Sequence, residues 1–327
     1  MKIIVFGVGS IGRRHIANLN KIGYTDIDIY DINNEYLDFV IHNFKINKSY
    51  NDIKEIDFNK YHAGFICTPP IFHIKQALIL AQYGIHLFIE KPLSNTLGGE
   101  ISKLQRIQKR KSLIIMVGYN QRFNNGIIQI KNIIESHLLG KIYYVRAEFG
   151  QYLPDWRPWQ DYKKSYTAQK SLGGGILLDG SHEIDYLLWM FGYNKIKRIQ
   201  SIIGKYSNLS IDVEDLIEIQ IEYENGPIIS LNLNMLEPRY NRYVKIVGEK
   251  GIVKYDFTTT SLELFKTKTK VLSIFKNKQD MNGTYIKEIK YFFSCIKKKK
   301  QPEPDIISAK NVLLLIDNIK RTMGEMK

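Results

Sequence analysis

The sequence predicts a doubly wound α/β half followed by an α+β half, and three observations carry that expectation. The first 120 residues alternate β-rich runs with amphipathic helical patterns. A glycine-rich turn joins the first of these runs to the first helical pattern. From Ile196 to Phe275 strand patterns follow one another directly, separated by short turns such as Asn225-Gly226. Parallel strands need a crossover connection, usually helical, so alternation builds a parallel sheet covered on both faces. Consecutive strands with tight turns pair antiparallel instead.

Taken in order, the strand patterns of the first half lie at 3–7, 26–31, 63–68, 86–90 and 113–118. The first helix covers 13–19. A later one covers 71–83, where Ile74, Ala77, Leu78 and Ala81 recur at helical spacing and Gly84 offers a left-handed cap. Beyond Arg122 come a helix over 126–138, a strand over 142–149, a loop rich in tryptophan and tyrosine, a glycine-rich turn and a helix over 181–191. Ile217, Ile219 and Ile221, opposed by Ile228, Ser230 and Asn232 of the next run, suit a sheet with one half-covered apolar face, which oligomerisation would bury. A last helix, over 306–323, places Ala309, Val312, Leu313 and Ile316 on one side. The expected division is 1–120 for the doubly wound domain, 121–303 for a second domain, and 304–327 for a terminal helix.

Composition narrows the function classes. The 327 residues are 44% hydrophobic and 24% charged, which excludes a disordered or collagenous chain. Two cysteines, Cys67 and Cys295, make no disulfide framework. No apolar run approaches the roughly 20 residues of a spanning helix. Met1-Lys2-Ile3-Ile4-Val5-Phe6 runs into glycines without the apolar segment of a signal peptide. The expectation is a soluble, cytoplasmic protein with no membrane partner. The formal charge of +14 invites a nucleic-acid reading, whose signature would be a steep salt dependence of DNA affinity. Against it, lysines are spread along the whole chain, and no zinc-ligand spacing or recognition-helix pattern appears. Lys297-Lys298-Lys299-Lys300, followed by Gln301-Pro302-Glu303-Pro304, is expected to form a solvated loop.

Gly7-Val8-Gly9-Ser10-Ile11-Gly12 follows the first strand and opens the first helix. In such a turn the first glycine allows the tight bend, the second lets backbone approach a pyrophosphate, and the third packs helix on strand. The helix N-terminus then faces the phosphates with unpaired N–H groups. Asp31 ends the next strand, 19 positions after Gly12. A carboxylate there accepts from ribose hydroxyls and repels a 2′-phosphate, so the expected cofactor is NAD in preference to NADP. Arg13 and Arg14 are the counter-evidence, although the first helix suits pyrophosphate or surface better. The rival reading is a glycine-rich turn with Asp31 capping a loop.

Four further stretches complete the pattern. They are Cys67-Thr68-Pro69-Pro70 with His73 after it, Glu90-Lys91-Pro92, Gly118-Tyr119-Asn120-Gln121-Arg122-Phe123, and Gly173-Gly174-Gly175-Ile176-Leu177-Leu178-Asp179-Gly180-Ser181-His182-Glu183-Ile184-Asp185. With the fingerprint, these five ordered motifs span essentially the whole chain. They resemble the glucose–fructose oxidoreductase / inositol dehydrogenase / rhizopine catabolism family.

The resemblance implies a Rossmann domain, a second domain on an open, mainly antiparallel sheet, and a C-terminal helix returning to the first domain. It also implies tightly held NAD(P), hydride exchange at a ring carbon of a sugar or cyclitol, and a homodimer or homotetramer. The lysine beside nicotinamide and substrate falls on Lys91, and the histidine that exchanges the hydroxyl proton falls on His182. A secondary alcohol cannot release hydride until its proton is leaving, and histidine can take that proton near neutral pH. Lys91 orients the hydroxyl and stabilises oxyanion character. Family members often carry an aspartate four residues before this histidine; here Leu178 holds that slot and Asp179 stands three before. Both spacings share a helical face, so Asp179 is a third catalytic candidate. Beyond the fingerprint and Asp31, Cys67, Thr68, Pro69, His73, Glu90, Asn120 and Arg122 fall on the cofactor side. Tyr119 and Arg122 also fall on the substrate side.

Each assignment has a plainer rival. Lys91 is otherwise a surface lysine before a proline turn, His182 a helix-cap histidine, and His73 a cap instead of a pocket wall. Asp185 is read as structural, bonding the turn before its helix. His15, His42, His62, His86 and His137 show no partner at ligand spacing, and no metal site is expected.

In the loop from Tyr152 to Tyr162, Trp156, Arg157, Trp159 and Tyr162 are substrate candidates, because aromatic rings stack on sugar faces and arginine pairs with carboxylate or phosphate. The rival is an aromatic loop packed over the domain junction. The loop resembles a branch associated with unusual sugars of bacterial surface glycans, which extends the expected substrates to anionic sugars, phosphorylated or nucleotide-activated. A reading from another class is a catalytically silent, dinucleotide-sensing regulatory protein of the same fold. Retention of both Lys91 and His182 argues against it, since a sensor needs neither.

Overall fold

The computed structural model describes residues 1–276 and 280–322. It divides into two compact units: Met1–Asn120 with Met281–Leu313, and Gln121–Asp280 with the chain from Leu314 onward.

The first unit begins β1 (Ile3–Phe6), α1 (Ser10–Lys21), β2 (Ile27–Tyr30), α2 (Asn34–Asn43) and β3 (Lys48–Tyr50). It continues β4 (Ala63–Ile66), α3 (Pro70–Gln82), β5 (His86–Glu90), α4 (Gly99–Lys111) and β6 (Ile115–Gly118). All six strands are parallel, in the order β3-β2-β1-β4-β5-β6. Every residue of β1, β4 and β6 is buried, as expected for strands covered on both faces. The order reverses between β1 and β4, where ligands of such sheets bind beyond the strand carboxyl ends. The strand over 48–50, Lys-Ser-Tyr, escaped the sequence reading because three residues show no period. Gly84 adopts the left-handed conformation after α3.

The second unit contains α5 (Asn125–Glu135), β7 (Ile142–Gly150), α6 (Ile176–Asp179), α7 (Ser181–Phe191) and β8 (Ile196–Gly204). There follow β9 (Leu216–Tyr223), β10 (Ile228–Asn234), β11 (Asn241–Gly248), β12 (Gly251–Asp256), β13 (Ser261–Lys266) and β14 (Val271–Lys276). The eight strands run β14-β13-β12-β11-β7-β10-β9-β8, and β7 with β10 is the parallel pair in an otherwise antiparallel sheet.

The register corrects one expectation. Ile217, Ile219 and Ile221 stand opposite Leu233, Leu231 and Ile229, all buried; Ile228, Ser230 and Asn232 stand opposite Glu222, Gln220 and Glu218. One residue of slip exchanges the faces of a strand, and here it turns the outer face of β9 and β10 polar. The broad apolar outer face expected from the sequence is therefore absent from these two strands.

Two helices close the chain, α8 (Met281–Lys298) and α9 (Ile306–Thr322). α8 was not anticipated. Its buried side includes Thr284, Glu288, Phe292 and Cys295, a helical spacing whose apolar signal is interrupted by a threonine and a glutamate. It falls in the first unit, whereas the sequence division assigned everything to 303 to the second. α9 is divided between the units at Leu313, and its expected face of Ala309, Val312, Leu313 and Ile316 is buried. Met323, the expected last helical residue, lies outside the described residues. The lysine run is only partly a loop: Lys297 and Lys298 end α8, where cations meet the negative end of the helix dipole. Among the described residues no helix is long and apolar enough to cross a membrane.

Candidate functional site

The fingerprint turn is built by close approach. A Cβ on Gly12 would lie 2.0 Å from the Gly7 carbonyl oxygen, so the third glycine is what lets α1 pack against the end of β1. Gly9 is different. A Cβ there would meet nothing within 4 Å, and Gly9 caps α1 without a side-chain hydrogen bond. Open space above an uncapped helix start, with Ser10 exposed and Ile11 half-buried, fits a pyrophosphate.

Asp31 is clipped to this turn. One carboxylate oxygen accepts from Val8 N–H at 2.8 Å and the other from Asn33 N–H at 2.9 Å. Each oxygen keeps a second lone pair, which suits ribose hydroxyls. The two arginines lie on aromatic rings. Arg13 donates from Nε to the Val8 carbonyl at 3.0 Å with its guanidinium 3.9 Å from the Phe39 ring centre, and Arg14 lies 4.8 Å from that of Tyr285. Asp31→Ala is expected to weaken NAD binding about tenfold, the loss of roughly 1.4 kcal/mol, and to narrow the preference over NADP. Fluorescence titration with both nucleotides measures this; tighter NADPH binding by the unaltered protein would refute the assignment.

The structure corrects several pocket assignments. Thr68 and Pro69 are half-exposed and remain candidates, but Cys67 is buried, and its thiol is pushed well up by burial and by Glu90 and Glu288. His73 is 1% exposed. Its Nε2 faces the Thr68 carbonyl at 2.7 Å and its Nδ1 the Pro92 carbonyl at 2.8 Å, so it ties two loops together and presents no ligand surface. Burial lowers its pKa, opposed by the two carbonyls. Glu90 is also turned inward: Oε2 accepts the Lys91 N–H at 3.1 Å and Oε1 meets His15 Nε2 at 2.6 Å. Glu90 thus holds the backbone that carries half-buried Lys91. Tyr119 is wholly buried and offers a substrate nothing. Asn120 donates to Thr284 Oγ1 at 2.9 Å, and its Oδ1 is buried without a hydrogen-bond partner among the described residues.

In the second unit, helix α7 supplies the other candidates. His182 is half-buried on its first turn. Asp179, which ends α6, accepts at Oδ1 from the Tyr166 hydroxyl at 2.5 Å. Burial and the charge of Asp179 push the phenol well above its ordinary value, so it stays protonated and donating. Tyr166 reaches Asp179 because the backbone passes close to Gly174, where a Cβ would lie 2.3 Å from the Tyr166 carbonyl oxygen. Tyr166 was missed by the sequence reading; it lies just past the aromatic loop, and no spacing links it to the aspartate.

Arg122 is a correction. Its Nε and Nη2 donate to the two oxygens of Asp185 at 2.8 and 2.7 Å, both side chains being buried. This bidentate pair directs the guanidinium fork at α7, against the expected ligand role, and it gives Asp185 a structural partner in Arg122 and not in the turn before its helix, where the sequence had pointed. A second buried pair, Arg242 Nε to Glu183 Oε1 at 2.6 Å, was also unforeseen.

Of the loop candidates, Trp156 donates to the Gln151 carbonyl at 2.9 Å and packs on Phe149, while the Tyr162 hydroxyl accepts from Ser210 N–H at 3.2 Å. Trp159 is 73% exposed. Arg157 lies 5.9 Å from the ring centre of Tyr166, the donor to Asp179.

Two family models match the chain. Residues 1–119 match the oxidoreductase family, NAD-binding Rossmann fold, and residues 127–254 match the GFO/IDH/MocA C-terminal domain. The myo-inositol 2-dehydrogenase of Thermotoga maritima is 25% identical over 345 residues, covering 100% of this chain and 97% of that protein. The levoglucosan dehydrogenase of Pseudarthrobacter phenanthrenivorans is 27% identical over 226 residues, covering 62% and 57% respectively. Among solved structures, levoglucosan dehydrogenase in complex with NADH and levoglucosan matches with a TM-score of 0.87 at 21% identity, covering 99% of this chain and 97% of that one. At that identity the likeness speaks for the fold.

Proposed function

Because the chain belongs to the GFO/IDH/MocA family of oxidoreductases, with an NAD-binding Rossmann fold at 1–119, we propose that it is an NAD-dependent dehydrogenase of a secondary alcohol on a sugar or cyclitol ring. The observation that carries this reading is the Tyr166–Asp179 hydrogen bond three residues before His182. It fixes a carboxylate at the start of the helix whose first turn carries the histidine. Relatives named for myo-inositol and levoglucosan support a hydroxyl-bearing ring as substrate.

When bound, NAD supplies the nicotinamide that accepts or returns hydride. The chain's own contributions are separate. The open face at Gly9 and the start of α1 hold the pyrophosphate, and Asp31 holds the adenosine ribose. Lys91, on the backbone fixed by Glu90, orients the reacting hydroxyl and stabilises its developing negative charge. His182 takes the hydroxyl proton, with Asp179 favouring the imidazolium. Arg157 suits an anionic substituent, which favours a phosphorylated or nucleotide-activated sugar of the kind used in surface-glycan assembly.

The test is NADH absorbance with purified protein, NAD and a panel of cyclitols, hexoses, hexose phosphates and nucleotide sugars. Turnover with a ring alcohol that is lost in His182→Ala supports the reading. NAD binding without turnover across the panel in either direction would favour the dinucleotide-sensing alternative.

Assembly as a homodimer or homotetramer belongs to the same proposal. Val271, Leu272, Ile274 and Phe275 of the edge strand β14 are each about half exposed, and such an edge is a template for pairing. A monomeric mass by light scattering at micromolar concentration would count against it.

A further inference from the structure

The glycine-rich turn that leads to His182 is braced by a strap from elsewhere in the second unit. Between β8 and β9, residues 205–215 run along residues 162–177. Ser210 N–H donates to the Tyr162 hydroxyl at 3.2 Å, and Asp212 Oδ1 accepts from Lys170 N–H at 2.7 Å. Asp212 N–H in turn donates to the Ala168 carbonyl at 3.3 Å. The strap is anchored by Asp215, wholly buried, whose carboxylate accepts from Tyr206 N–H at 2.8 Å and Ser207 N–H at 3.0 Å.

Glu214 carries the strap to the turn itself. Its carbonyl accepts from Ile176 N–H at 3.2 Å, and its Oε1 accepts from Leu177 N–H, also at 3.2 Å. These are the first two N–H groups of α6, which have no partner within their own helix. Gly175 makes room for the carboxyl: its φ is +108°, and a Cβ there would lie 2.3 Å from Glu214 Oε1. From this point backbone hydrogen bonds lead to the site. Asp179 N–H donates to the Gly175 carbonyl at 3.1 Å, and Gly180 N–H, just before α7, to that of Ile176 at 2.7 Å. We propose that Glu214 is a positioning residue, which fixes the start of α6 and so holds Asp179 against the Tyr166 hydroxyl. This rests on the reading of Asp179 and His182 as working residues.

The hold does not need a charge. Burial raises the Glu214 carboxyl above its ordinary range, opposed by Lys320 of α9 and by the Glu214 and Leu177 N–H groups, and aided by Asp179. In either protonation state an oxygen remains to accept from Leu177 N–H. Glu214 thereby differs from Asp179, whose negative charge is what the proton transfer uses.

The first arm of the test needs no substrate. Urea unfolding midpoints are measured for Glu214→Ala, Tyr166→Phe and the double variant. If Glu214 holds Asp179 on Tyr166, the double variant loses less than the sum of the two single losses; additive losses would overturn the proposal. The second arm follows kcat against pH. Glu214→Ala should lower kcat about tenfold and move the rising limb toward acid, the direction that loss of the Asp179 charge gives. Glu214→Gln keeps the acceptor and should restore most of both. Equal effects of alanine and glutamine would mean that Glu214 acts through its charge, and a lower kcat with an unmoved profile would mean a brace of the fold alone; either overturns positioning. His182→Ala separates the two ideas: full activity there refutes the reading of the base, while the unfolding cycle still decides Glu214.

Discussion

His182→Ala is expected to lower kcat by about 10²–10⁴-fold while NAD affinity stays near that of the unaltered protein, the loss usual for a removed general base. The proposed cofactor residues Gly9 and Asp31 lie in the first unit and His182 in the second, so the variant leaves the fingerprint turn and Asp31 untouched. Asp179→Asn is the informative companion. It retains an acceptor for the Tyr166 hydroxyl but removes the negative charge. With that charge gone the imidazolium is less favoured, so activity should fall and the rising limb of the pH profile should move toward acid. Tyr166→Phe removes the donor and leaves the charge, so it should shift the profile the other way. The measurement is kcat against pH for the three variants. An unaltered profile in Asp179→Asn beside an inactive His182→Ala would keep the base and remove the aspartate from the mechanism.

The second large effect concerns stability. Arg122→Leu removes the Nε and Nη2 donors from an Asp185 carboxylate that is wholly buried, and breaking such a pair typically costs about 3–5 kcal/mol. Removing both charges at once costs less, because no buried charge is left without its opposite from this pair. The Arg122→Leu/Asp185→Leu double variant should therefore be more stable than Arg122→Leu. Urea unfolding midpoints measure both. Should Arg122→Leu keep its stability and lose NAD affinity instead, the arginine is a cofactor ligand and the structural reading is wrong.

What the amino-acid sequence determined by itself is what local geometry encodes. The fingerprint is a strand end, a turn and a helix start within six residues, and the strand that carries Asp31 follows directly, so order along the chain places both. The strand–helix alternation of the first unit is legible for the same reason. So is the face of α9, whose four apolar positions recur at helical spacing. The shorter spacing from Asp179 to His182 was legible too, but not the partner that the aspartate takes.

Tertiary structure decided the pairings. Tyr166 meets Asp179 across 13 residues, Arg242 meets Glu183 across 59, Arg122 meets Asp185 across 63, and His15 meets Glu90 across 75. None has a periodic signature, because packing brings the partners together and repetition along the chain does not. α8 escaped notice because Thr284 and Glu288 occupy its inner side, where polar residues read as solvent-facing until their surroundings are known. The register of β9 and β10 escaped because a slip of one residue preserves alternation while exchanging the faces. Burial then settled which polar groups are available: Glu90, His73 and Tyr119 stand in motif positions, yet close packing turns them inward, and a buried polar group must answer to its neighbours before it can answer to a ligand.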